Sequence, residues 1–233
     1  MEALFYCLLL VAILAASVFV VVSNGQRGLL SLALKAIASF AFTTLALSVI
    51  LIKGASTVGI LFVLGFVASV IGDVVLALPD MPQMKEKAMS LTLVGGLSFA
   101  VAHVFYLSGM IVKFGFAWWV ILIAIALGLI FFFGNKIVGK LNYGNLTAGM
   151  PVYSTFVSLV VAESIMSFVS GANVMGSAML LVGFILFWLS DIVLMNIYFG
   201  NKTDKQKVNY YYFNLAFYYG AQILVAASLF FLL

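Results

Sequence analysis

The sequence predicts an all-α polytopic membrane protein, an eight-transmembrane-helix bundle forming a single domain over residues 1–233. Three observations lead there. Of the 233 residues, 66% are hydrophobic and 8% charged, where a soluble domain carries about 25% charge; the mean hydropathy is +1.27. Apolar runs of about 20 residues, the length that crosses a bilayer core, recur along the chain. The alternating polarity over ten-residue segments that a membrane β-barrel requires is absent.

The runs fall near 3–23, 29–52, 57–78, 89–111, 116–134, 149–170, 174–199 and 209–232. The first follows Glu2 and has no Lys or Arg before Arg27, so it lacks the basic start of a secretory signal and reads as a retained span. Its Cys7 is the lone cysteine, which excludes an internal disulfide and shows no metal-ligand spacing. A small apolar residue facing lipid or a neighbouring helix is the reading for it. The two longest connections, 79–88 and 135–148, are polar, and the chain is expected to act within the membrane or at its surface.

The net charge of +4 does not imply nucleic acid, because the cations sit in short loops. Odd-numbered loops hold Arg27, Lys85, Lys87, Lys136, Lys140, Lys202, Lys205 and Lys207, against Lys53 and Lys113 in the even ones. That bias predicts odd loops in the cytoplasm and both termini outside; a multi-pass protein of a bacterial cell membrane is the expected setting. The N-x-T sequons at Asn145 and Asn201 then face the cytoplasm and carry no glycan.

One phrase occurs twice. Residues 64–78 read LGFVASVIGDVVLAL and residues 182–196 read VGFILFWLSDIVLMN, each with one aspartate, Asp73 and Asp191. A carboxylate in hydrocarbon costs roughly 2.5–3.5 kcal/mol on insertion scales and marks a candidate functional site. The aspartates lie 118 residues apart, as do Gly65 and Gly183, Phe66 and Phe184, and Lys35 and Tyr153. Four helices separate the copies, so the pattern points to a possible 4+4 parallel internal repeat. Depth counted at ~1.5 Å per residue places Asp73, Asp191, Lys35, Tyr153, Asn214 and Tyr218 about 6–14 Å from the cytoplasmic interface. His103 and Glu163 lie deeper, near ~21 Å.

Each polar group has a structural reading beside the functional one. Gly65, Ser69, Gly72 and Asp73 share one helix face, which makes either a packing seam with a structural Asp or a site. Lys35, on a stripe with Ser31, Ser39 and Thr43, either snorkels to the interface, pairs with an aspartate, or anchors a phosphate. If it neutralises one aspartate, the two carboxyl groups differ in environment and can divide acid and base roles. Asn214, Tyr218 and Gln222 form a stripe that either glues helices or lines a cavity. His103 and Tyr106 make an H-x-x-Y pair, with His103 read as structural; with a single His, an ordinary zinc site is excluded. Glu163 has no assigned role.

Together, Lys35, IGDVVL around Asp73, FAVAHVFY with His103 and Tyr106, PVY at Tyr153, GFILFWLSDIVL around Asp191 and YYGAQILVAAS with Tyr218 and Gln222 resemble the YhhN family of integral membrane proteins, the lysoplasmalogenases. The resemblance spans helices 2 to 8 and departs at Ala36, where the family carries Pro after its helix 2 Lys. It implies an eight-helix enzyme that hydrolyses the vinyl ether of lysoplasmalogens to a fatty aldehyde and glycerophosphoethanolamine or glycerophosphocholine. The expected catalytic pair is Asp73 and Asp191, with Lys35, His103, Tyr153, Asn214, Tyr218 and Gln222 binding substrate. The expected partners are a lysophospholipid, water as co-substrate and the bilayer, with no metal and no organic cofactor. A proton-coupled transporter, an intramembrane aspartyl protease and a lipid-binding or receptor protein remain the competing classes. Against the first stands the lack of helix breaks at the aspartates, and against the second the 118-residue separation.

Overall fold

The structure is a computed structural model and describes residues 2–23, 28–171 and 173–233. Arg27, counted above among the loop cations, lies outside them. Among the described residues, eight helices account for the spans: α1 Glu2–Ser23, α2 Leu29–Lys53, α3 Thr57–Ala77, α4 Ala88–Phe114, α5 Trp118–Phe133, α6 Met150–Val169, α7 Val174–Phe199 and α8 Asp204–Leu232. All eight are long and apolar enough to cross a membrane when the short continuations at the ends of α4 and α5 are included. Their outward faces carry large exposed apolar side chains such as Leu51, Trp118 and Val174. Exposed apolar surface of that extent suits lipid rather than water.

The largest departure from the sequence expectation is α8, which begins at Asp204 rather than near 209. Thr203 and Gln206 form a capping box: the Gln206 amide N–H donates to Thr203 Oγ1 at 3.4 Å and the Thr203 N–H to Gln206 Oε1 at 3.1 Å. Those bonds satisfy orphan donors at the helix start and extend it through a polar stretch that hydropathy does not register. The polar connection after α3 is not irregular either, but winds through 3₁₀ turns at Leu78–Asp80 and Pro82–Lys87.

The 118-residue offset carries over to the helices. Added to the bounds of α2, α3 and α4 it gives 147–171, 175–195 and 206–232, against α6 at 150–169, α7 at 174–199 and α8 at 204–232. For α1 it gives 120–141, over α5 at 118–133. Each half packs in chain order, α1 on α2 on α3 on α4 and α5 on α6 on α7 on α8. The halves join through α8 on α1 and α2, and α4 on α6. Gly65 and Gly183 occupy equivalent close approaches: a Cβ at Gly65 would run into the Tyr106 ring of α4, and one at Gly183 into Val225 of α8.

Candidate functional site

Asp73 lies on α3, four residues before its end at Ala77, and is buried. Lys35, on the second turn of α2, reaches it with Nζ 3.3 Å from Oδ1. The lysine is buried too, so it turns inward instead of snorkelling. One turn along α2, the Ser39 hydroxyl donates to Oδ2 at 2.6 Å, and from α8 the Tyr218 phenol donates to the same oxygen at 2.6 Å. Tyr219 OH lies 3.2 Å from Ser39 Oγ and closes the cluster. Removing two charges from water is expensive, and an ion pair offsets it only when further hydrogen bonds satisfy the remaining lone pairs. Asp73 has those bonds.

Asp191 sits at the equivalent position of α7 with a poorer set of partners. The Tyr153 phenol of α6 donates to its Oδ2 at 3.3 Å, and among the described residues no cation pairs with it. The repeat accounts for the difference. Tyr153 stands where the first half has Lys35, Val157 where it has Ser39, and Ala100 where the second half has Tyr218. Neighbouring Ser190 is held by Asn214, whose Nδ2 donates to both the Ser190 carbonyl and hydroxyl at 2.9 Å.

Both aspartates line one cavity of about 930 Å³. Its polar floor also includes Lys35, Ser190, Asn214 and Tyr218, and its apolar walls include Leu76, Phe99, Phe187 and Leu194. Lys85 and Lys207 line it as well, each a few residues from a helix end. Met89, on the first turn of α4, both lines the cavity and is 66% exposed, so the cavity reaches the surface near the helix ends that also carry Lys85 and Lys207.

The structure therefore brings Lys35, Asp73, Asp191, Asn214 and Tyr218 to one wall system. Tyr153 touches Asp191 without lining the cavity. His103 stands behind the wall, its Nδ1–H donating to the Phe99 carbonyl at 2.7 Å and its ring edge-on to Phe187 at 4.7 Å. Gln222 is fully buried and hydrogen-bonds to Tyr218 and Tyr106. Sequence reasoning missed Tyr219, the aromatic walls Phe99 and Phe187, and the continuation of the Asn214 and Tyr218 stripe back to Tyr211 and Lys207, which α8 turns to the cavity. Its i, i+4, i+7, i+11 spacing was there to find once α8 was extended to Asp204. Glu163 is away from the cavity, fully buried, with neither carboxyl oxygen hydrogen-bonded. Among the described residues no three His, Cys, Asp or Glu side chains cluster as metal ligands.

These features define a multi-pass helical membrane protein in which each half of the bundle delivers one carboxyl group to a shared cavity. The model of the YhhN family matches residues 30–229, and the chain belongs to that family. Comparison with curated proteins and with solved structures returns no match.

Proposed function

We propose that the protein is a membrane-embedded lysoplasmalogenase that cleaves the vinyl ether of a single-chain plasmalogen. The observation that carries the proposal is that Asp73 and Asp191 share one cavity with unlike partners. Vinyl ether hydrolysis begins with proton transfer to the β-carbon of the C=C bond, which leaves an oxocarbenium ion. Water adds to its α-carbon and loses a proton to a carboxylate, giving a hemiacetal. In the collapse of the hemiacetal its hydroxyl gives up a proton as the C=O forms and a proton is delivered to the glycerol oxygen, which breaks the C–O bond and releases the fatty aldehyde and the glycerophospho-alcohol.

Two carboxyl groups in different environments suit this sequence, as they do oxocarbenium chemistry on glycosides. Asp73, held by a cation and two hydroxyl donors, is the ionised member that faces the positive charge and orients water. Asp191, with one phenol and no cation, is the proton donor and recovers its proton from the attacking water. The exposed, apolar Met89 at the rim of the cavity suits entry of a single acyl-type chain, while Lys85 and Lys207 beside it suit the phosphate. Family membership supports the same reading. Against a transporter, α3 and α7 run unbroken through their aspartates, whereas transporter sites are built on interrupted helices.

The test is aldehyde release from lysoplasmalogen by the purified protein. Asp73→Asn and Asp191→Asn should each lower the rate by at least about 100-fold, the usual scale for losing an acid–base group. Activity that survives either change removes that residue from catalysis, and an inactive wild type overturns the hydrolase reading.

A further inference from the structure

Tyr218 is tied to more than Asp73. Its phenol oxygen accepts a hydrogen bond from Gln222 Nε2 at 3.2 Å, one turn further along α8. Gln222 Oε1 in turn accepts from the Tyr106 phenol of α4 at 3.1 Å. The Tyr106 proton is thereby committed, so Ser69 of α3, 3.3 Å from the Tyr106 oxygen, is the donor in that contact. Every bond in the run points the same way, Ser69 to Tyr106 to Gln222 to Tyr218 to Asp73. Ser69, Tyr106 and Gln222 are fully buried and none lines the cavity.

The direction of the run depends on which end of the Gln222 amide faces Tyr218. An amide NH₂ has no acceptor capacity, so the Tyr218 phenol cannot donate to it, and its single proton goes to Asp73. With the amide reversed, Oε1 would compete with Asp73 for that proton, and Nε2 would face the Tyr106 phenol. The Asp73 carboxylate only accepts and takes the Tyr218 proton at 2.6 Å, so the amide meets the Tyr218 oxygen with its NH₂ and turns Oε1 to the Tyr106 phenol.

We propose that Tyr106 and Gln222 are positioning residues: they orient the Tyr218 phenol proton onto Asp73 and so fix how that carboxylate faces the cavity. This assigns Gln222 a role through Tyr218 and not on the substrate. The kinetic arm of the test rests on the hydrolase reading; the geometry does not.

The variants are Gln222→Glu, which keeps the shape but replaces the NH₂ donor by an acceptor, and Tyr106→Phe, which leaves the ring and removes the proton that holds Gln222 Oε1. In protein labelled with ¹³C-aspartate, the Asp73 carboxylate stretch is identified in the infrared spectrum by its loss in Asp73→Asn. Both variants should shift that band, and combining them should shift it no further, because they act through one chain. With lysoplasmalogen, each should lower kcat about tenfold at a KM within about twofold, the loss of one hydrogen bond to a charged group, while the folded fraction is unchanged. If Gln222→Glu does not fold, Tyr106→Phe alone decides. An unmoved band overturns the proposal whatever the activity. A moved band in a protein without wild-type turnover supports the relay and overturns the hydrolase reading. A loss confined to thermal stability, with band and kcat intact, reduces both residues to helix packing and overturns the proposal.

Discussion

Lys35 and Tyr153 stand 118 residues apart on corresponding turns of α2 and α6, and each reaches the aspartate of the following helix at 3.3 Å. The contact is the same in both halves, but its chemistry is not: an ammonium reaches Asp73 and a neutral phenol reaches Asp191. A bundle built from two similar halves thus presents two unlike carboxyl groups to one cavity.

Making the halves alike should remove the difference. Tyr153→Lys places a second cation beside Asp191, and the protein should remain folded while losing about 100-fold in aldehyde release, since the carboxyl group proposed as proton donor is then held as its anion. Retained turnover in a folded Tyr153→Lys protein would mean that the asymmetry is not the mechanism.

The ion pair at Asp73 has a stability signature. Lys35→Met leaves a buried carboxylate without its cation and should cost about 3–5 kcal/mol, whereas Lys35→Met with Asp73→Leu should recover most of it. Chemical denaturation in detergent reads both. Equal losses in the single and double variants would show that the pair is not what Lys35 stabilises.

Helix approach gives a third expectation. Gly65→Ala drives a methyl into the Tyr106 ring and should cost about 1–3 kcal/mol, as overpacking does. Gly96→Ala meets nothing within 4 Å and should be neutral or slightly stabilising, since alanine is the better helix former by roughly 0.5–1 kcal/mol. Thermal midpoints of the two proteins provide the comparison.

Glu163 is buried with no hydrogen-bond partner, and the equivalent residue of the first half is Leu45. Glu163→Leu should therefore raise stability by about 1–3 kcal/mol, the penalty of an unsatisfied buried polar group. A lower midpoint in that variant would point to a role that the packing does not reveal.

Orientation is testable with a membrane-impermeant maleimide. In a Cys7→Ala background, Lys53→Cys should label from outside intact cells and Lys85→Cys only after lysis, as the distribution of loop cations predicts. The opposite pattern would invert the bundle and put the cavity in the outer leaflet.

The eight spans were legible because a bilayer demands long apolar runs, and hydropathy reads those directly. The repeat was legible too, from Gly65 and Gly183 and the aspartates that follow them. Lys35 could be narrowed to three fates but not resolved, since snorkelling and pairing differ only in which way one flexible side chain turns. Phe99 and Phe187 were invisible as cavity walls, because one more phenylalanine among 22 carries no signal of what it faces. Tyr106 and Gln222 were noticed singly, but the bond between α4 and α8 that joins them spans 116 residues and follows no periodicity. The first turn of α8 was lost because its capping box is polar and hydropathy counts polar residues as loop.

That last helix has a consequence for how the protein is made. α8 packs on α1, α2 and α7 and carries Asn214, Tyr218, Tyr219 and Gln222. It is also the last of the eight to leave the ribosome. The Lys35–Asp73 pair can form early in synthesis, but its phenol donor is then still untranslated. Until α8 inserts, the seven earlier helices hold a charged pair with an open flank toward lipid and no finished cavity. Assembly of the Asp73 cluster and insertion of α8 are a single event, and a nascent chain stalled before Asp204 is expected to lack the Tyr218 bond to Asp73.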